Sequence, residues 1–199
     1  MRFLYLYSVK LSRDFYLQDD VVALARKLIG KVLFTCIDRR LTAGIITETE
    51  AYAGEVDKAS HAFGGRRTNR TETMFAQGGT GYVYLCYGIH HLFNVVTNVE
   101  GVPHAVLIRG VKPLEGIDII RERRKFPKND KILSAGPGTV SQALGILTKH
   151  DKTDLTGDVI WIEDHSIAVP DNNVKITPRI GIDYAGEDAK LPYRFITTI

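Results

Sequence analysis

The apolar positions along the chain change period several times, and each change marks an element. In LQDDVVALARKLIGK (17–31), Val21, Leu24 and Leu28 recur at helical spacing and share a face. Asp19 or Asp20 supplies the cap, and Gly30 ends the helix. The period then shortens to two. KVLFTCID and RLTAGIITETEAY read as strands, with DRR as a hairpin turn between them. Residues 54–80 are polar and glycine-rich without strand alternation, and so long an irregular connection is either functional or disordered. GYVYLCYGIHHLFNVVTNV and HAVLIRGV read as a further pair of strands around EGVP. A helix is predicted to open at PLEGIDIIRERR, with Pro113 at its start and Leu114, Ile117 and Ile120 facing inward. SAGPGTVSQALGI is a glycine-rich turn entering a helix, DVIWIED and KITPRIGI are later strands, and the chain ends in YRFITTI.

Strands dominate the middle, and hairpin-length connections favour antiparallel pairing. The pattern predicts a single α+β domain over 11–199, preceded by the extension MRFLYLYSVK. No repeat, low-complexity tract or composition break divides it.

Composition changes this picture little. The 199 residues are 44% hydrophobic and 25% charged, ordinary for a globular protein. No apolar run reaches the ~18 residues of a membrane helix, and the apolar start lacks a signal-peptide cleavage pattern. Cys36 and Cys86 sit in apolar strand contexts and read as buried free thiols of a reducing compartment. Net charge is +3. Its distribution says more than its size: GGRRTNR (64–70) and RERRKFPKNDK (121–131) concentrate basic residues, as a polyanion partner would require.

Candidate chemistry starts at ITETEAYAG (45–53). On a period of two, Gly44, Ile46, Glu48, Glu50 and Tyr52 face one way, while Ala43, Ile45, Thr47, Thr49 and Ala51 face the other and pack the core. Glu48 reads as a wet strand edge. Glu50, followed by Tyr52 and His61, is a candidate general base for a water, a role typically worth ~10²–10⁴ in rate. Tyr82 and Tyr84 share a face opposite Val83, Leu85 and Tyr87, either as packing or as a stacking platform for a flat heterocycle. Tyr87, just before Gly88, is placed at a turn tip. Arg109 is the one charge in AVLIRGV and needs a carboxylate, for which Glu50 is the obvious partner. His90 and His91 point to opposite faces of a strand, so they do not chelate one ion together. AGPGTVSQAL either presents backbone N–H groups to a phosphate or is a structural turn. Two further readings stay open here: a binding protein without catalysis, and a sugar hydrolase using Glu48 and Glu50, held ~7 Å apart on one strand face.

IITETEAY, KASHAFGGRRTNRTETMF, GTGYVYLCYGIHHLFNVVT, AVLIRGVKPLEG, SAGPGTVSQALGI and PRIGIDYAGE…PYRFI together resemble, in that order, the alkyladenine (3-methyladenine) DNA glycosylases. The likeness runs from about Leu11 to Phe195. It implies a compact domain around a curved, mostly antiparallel sheet flanked by helices. It also implies base-excision repair of alkylated or deaminated purines by base flipping, without metal or cofactor. Carried over by motif, Glu50 activates the attacking water and Arg109 helps hold it. Tyr52 and Tyr84 sandwich the flipped base, His61 forms pocket wall, and Asn94 discriminates among purines at the pocket floor. Tyr87 fills the gap left in the duplex. Arg66, Arg67, Arg70, Gly136 and Gly138 are expected along the DNA backbone, whereas Glu48 receives no role. No lysine aligns with a Schiff-base nucleophile, so no strand cleavage is expected. The expected partner is double-stranded DNA with a damaged purine, met by an intracellular monomer without membrane contact. Its compartment is the nucleoid in a bacterium or the nucleus in a eukaryote. His90 and His91 depart from the aromatic or apolar residues common at those positions.

Overall fold

The computed structural model describes residues 8–125 and 134–199. Its organising element is one long strand, β3 (Arg40–Tyr52), which pairs on one edge with β6 (His104–Glu115). The other edge is shared: β2 (Val32–Ile37) covers Arg40–Ile45, and β9 (Arg194–Thr197) takes over at Glu48–Glu50. Beyond β6 come β5 (His90–Thr97) and β4 (Gly81–Cys86); beyond β2 come β7 (Ile160–Asp164) and β1 (Val9–Lys10). β8 (Val174–Thr177) pairs only with β9. Every pairing is antiparallel, so the sheet is the mixed α+β architecture that the short connections predict.

Four α-helices lie among the described residues: α1 (Arg13–Tyr16), α2 (Val21–Leu28), α3 (Ile117–Arg123) and α4 (Pro137–Leu144). α2 starts where predicted, because the Asp20 carboxylate accepts the Ala23 N–H at 2.8 Å. Val21, Leu24 and Leu28 bury its inner face, and Gly30 leaves the helix at φ +87°. Leu24, Leu28, Ile46, Phe93, Ile108 and Leu144 form part of one continuous core between helices and sheet. Each such side chain contributes about 1.5–3 kcal/mol by leaving water. The β2–β3 turn has positive φ at both Asp38 and Arg39, the type I′ geometry that matches strand twist.

Several expectations change. The segment predicted as one strand over 81–99 is two, β4 and β5, folded back at Tyr87–Gly88. β6 runs on through Pro113 to Glu115 because Ala43–Ile45 of β3 pair with it; α3 begins only after Gly116, which adopts φ +67°. Leu114 is therefore a strand residue and Ile117 is exposed, while Ile120 alone of the three predicted positions is buried. The later strand ends at Thr177, before PRIGI. Cys36 is exposed because alternate positions of β2 point out of the core, and Cys86, the last residue of β4, is half-buried.

The two predicted faces of β3 also exchange partway. Thr47 is an extra residue on β3, and Arg109 is an extra residue on β6 one step further on. Such paired bulges re-aim side chains. Ile46 therefore joins Thr49 and Ala51 in the interior, and only Glu48, Glu50 and Tyr52 remain on the site side.

The polar connection 54–80 is structured by three short 3₁₀ turns. It buries Ala62, Met74 and Phe75 against Tyr82, Val96 and Ala105, and so forms one wall above the sheet. Val9 and Lys10 of the expected extension pair with β7; residues 1–7 lie outside the described residues, as does 126–131 of the second basic tract. Among the described residues no helix is long and apolar enough to cross a membrane.

Candidate active site

A cavity of about 590 Å³ opens between the sheet, the 54–80 wall and the segment after β8. Tyr52, His61, Tyr84, Asn94 and Arg109 line it, with Tyr87 at its rim. The resemblance-derived pocket residues therefore meet in one place. Glu50 stands behind them.

Glu50 is fully buried, and every group that touches its carboxylate lines the cavity. Oε2 accepts the Tyr52 hydroxyl at 2.9 Å and Arg109 Nη1 at 3.3 Å, while Oε1 accepts the Ile180 backbone N–H at 2.8 Å. A carboxylate has about four lone-pair sites, so three bonds leave room for a water hydroxyl. Burial pushes the Glu50 pKa up, and nearby Glu48 adds to the rise. The Arg109 charge, the Ile180 N–H and the Tyr52 hydroxyl pull it part-way back. The result is a carboxylate more basic than usual, held in one orientation.

Glu48 is not a wet edge. Its Oε1 accepts Arg109 Nε at 2.9 Å and Arg194 Nε at 2.7 Å. An inverting sugar hydrolase needs a water between its two carboxyl groups; here Arg109 bridges Glu48 and Glu50 instead.

The ring of Tyr52 is backed by Arg179, whose guanidinium carbon lies 4.8 Å from the ring centre and 5.2 Å from that of Tyr193. Arg179 is itself held by Asp57 at 2.5 and 2.8 Å and by the Ala51 carbonyl at 2.8 Å. On the opposite wall, Tyr82 and Tyr84 lie 5.2 Å apart, and His61 meets Tyr84 edge-on at 4.8 Å. Arg70 Nη2 lies 3.5 Å from His61 Nε2, and His61 Nδ1 lies 3.1 Å from the Tyr82 hydroxyl. Arginine only donates, so Nε2 accepts and Nδ1 carries the proton. Burial first, then the charges of Arg70 and Arg66, lower the His61 pKa to about 4. His61 is therefore expected to show no titration between pH 5 and 8 by ¹⁵N NMR; a midpoint near its ordinary value of 6.5 would contradict this placement.

Asn94 is buried, with Nδ2 donating to the Tyr82 carbonyl at 3.2 Å. Tyr87 is 91% exposed at the β4–β5 turn, with φ +51°. Left-handed backbone costs a residue with a Cβ about 1–2 kcal/mol, and such outliers cluster at functional sites.

The remaining candidates separate. Arg67 is engaged by Glu72 at 2.9 and 2.7 Å and lies over Phe75. Arg66 and Arg70 are both exposed, but Arg70 lines the cavity, 4.8 Å from the Tyr84 ring centre. Gly136 and Gly138 line the rim at the start of α4. The Gly136 N–H donates to the Arg109 carbonyl at 2.9 Å, tying that turn to β6. His90 abuts Gly138, whereas His91 Nδ1 accepts the Thr148 N–H at 3.1 Å. Among the described residues no group of three or more His, Cys, Asp or Glu side chains is placed to hold a metal ion.

Sequence reasoning missed Asp57, Arg179, Ile180 and Arg194. Arg179 and Ile180 lie in PRIGIDYAGE, a recognisable segment, but their contacts to Asp57 and Glu50 span more than 120 positions and carry no local signal.

Comparison with known proteins gives the family. The family model of methylpurine-DNA glycosylase matches residues 14–198. Relatives named "Putative 3-methyladenine DNA glycosylase" include one from Chlamydia felis, 47% identical, covering 95% of this chain and 96% of the relative. Another, from Clostridium perfringens, is 42% identical with 94% and 95% covered. A third, from Bacillus thuringiensis, is 44% identical with 92% of each covered. Cavity, buried carboxylate and likeness over nearly the whole length converge: the chain belongs to the methylpurine-DNA glycosylase family, DNA glycosylases of base-excision repair that act on alkylated bases.

Proposed function

We propose that this chain hydrolyses the N-glycosidic bond of alkylated or deaminated purines in duplex DNA, using a water activated by Glu50. The observation that carries this reading is the fully buried Glu50 carboxylate, fixed by Tyr52, Arg109 and Ile180 behind an aromatic cavity. Chemistry at C1′ of a stacked nucleotide requires extrusion, which costs less where damage has weakened pairing. The flipped base stacks between Tyr52 and Tyr84, with His61 and Asn94 at its edges. Tyr87 enters the vacated space in the duplex.

The C1′–N9 bond then breaks, its electron pair leaving with the base, and positive charge develops on the sugar. Glu50 stabilises that charge and takes a proton from the water whose oxygen bonds to C1′. Arg109 holds Glu50 and the water in place. With no covalent amine intermediate, the product is an abasic site in an unbroken strand. The enzyme acts as a monomer and needs no cofactor for this step.

Single-turnover reactions on a labelled duplex containing one hypoxanthine or ethenoadenine, beside alkylated genomic DNA, test the proposal. Release of free base with an intact abasic strand supports it. Tight lesion binding without release would establish a binding protein instead, and strand breakage at the abasic site would remove the hydrolytic scheme. Tyr87→Ala is expected to slow release from duplex roughly tenfold, consistent with ~1–3 kcal/mol for a stacked ring, and to spare release from single strands. Equal losses on both substrates would argue against a role in the duplex gap.

A further inference from the structure

We infer that Glu48 is a positioning residue for Glu50, acting through Arg109; this inference rests on the water-activation reading. The paired bulges put Glu48, Glu50 and Arg109 on one side of the β3–β6 ladder. Gly110 makes the packing possible: a Cβ there would lie 3.1 Å from both Glu48 Cβ and Thr47 Oγ1. Glu48 Oε1 takes Nε of Arg109, and this bond turns the guanidinium so that its Nη1 meets Glu50 Oε2. Arg194, anchored at Thr177 Oγ1 3.2 Å away, fixes Glu48 from the β9 side. The relay is thus Arg194, Glu48, Arg109, Glu50. Its members are at most 17% exposed, so solvent screens them little.

Two consequences follow for Glu50. With a neutral acceptor in place of the Glu48 carboxylate, Arg109 Nε keeps a bond but loses its ion pair, and the guanidinium is held less firmly. The charge balance also changes. The charged and titratable groups around Glu50 are Glu48 and Tyr52 on β3, Arg109 on β6, Arg194 on β9 and Arg179 after β8. Glu48 compensates two of the three cations. With Arg109 still beside Glu50, neutralising Glu48 lowers the basicity of Glu50, because a nearby negative charge raises that pKa.

The test is the pH profile of single-turnover hypoxanthine release by wild type, Glu48→Gln and Glu48→Asp, with thermal melting beside it. Glu48→Gln is expected to release base at least about tenfold more slowly at pH 7, with its acid limb moved to lower pH. Glu48→Asp keeps the charge but shortens the reach, so its limb stays at the wild-type position while its rate falls. Both variants at wild-type rate and profile would overturn the inference, as would losses that track melting midpoints with both limbs unmoved. Should Glu48→Gln fail to fold, Glu48→Asp decides: a slowed rate at an unchanged melting midpoint supports the role, and a wild-type rate ends it. A wild-type chain that released no base would instead overturn the Glu50 reading, and this inference with it.

Discussion

Glu50→Gln is expected to slow release of a damaged base roughly 10³-fold, within the ~10²–10⁴ typical of general base catalysis. Binding of lesion-containing duplex is expected to change only a few-fold, because the amide still fills the space behind Tyr52 and Ile180 and removes no cavity wall. Stability distinguishes this substitution from an ordinary core lesion. The folded Glu50 carboxyl is held above its ordinary pKa, chiefly by burial. Its charge therefore carries a stability cost at neutral pH, relieved as pH falls through the raised value. Removing the charge is expected to hold or raise the melting midpoint at pH 7 while activity collapses, the trade-off expected of a destabilised functional group. In the active wild type the same sign places the acid limb of excision above the ordinary glutamate value, and activity is lost as Glu50 protonates. A Glu50→Gln variant within tenfold of wild type would remove Glu50 as the base.

Asp57→Asn is expected to have the largest effect on stability. Arg179 and Asp57 side chains are 0% and 1% exposed, and the pair makes two close bonds. Breaking a buried pair by removing one partner typically costs about 3–5 kcal/mol, since the other charge stays buried. At ~2–4 °C per kcal/mol for a chain of this size, the melting midpoint is expected to fall by roughly 6–20 °C. Arg67→Gln is the control: its partner Glu72 and Arg67 itself are about half exposed, so solvent screens the pair and the melting midpoint is expected to hold. Asp57→Asn is also expected to reduce excision in the folded fraction. Arg179 backs the Tyr52 ring and immediately precedes Ile180, whose N–H holds Glu50. A fall of less than about 2 °C would mean that the pair is not buried in solution as described.

Local signals were sufficient wherever neighbours in the chain decide the outcome. The cap of α2, its buried face and Gly30 depend on residues within one helix, and the Asp38–Arg39 turn depends on two. The alternation of Tyr82 with Val83 likewise placed one side chain in the pocket and the other in the core. Ordered motifs over nearly the whole chain were enough to indicate the family and most of the pocket.

Pairing partners decided the rest. Pro113 and Leu114 look like the opening of a helix, but the backbone of Ala43–Ile45 captures them as strand. Periodicity could not reveal the bulges at Thr47 and Arg109, because an extra residue is defined only against its opposite strand. That slip carries Ile46 into the core and lets Arg109 reach both glutamates. Arg179, Ile180 and Arg194 come to the site from the far end of the chain, and nothing in their own neighbourhoods predicts where they land. The types of residue proposed for the chemistry are legible in the sequence. The environment that makes a buried carboxylate basic is not, because it consists of long-range contacts that exist only once the sheet has closed around it.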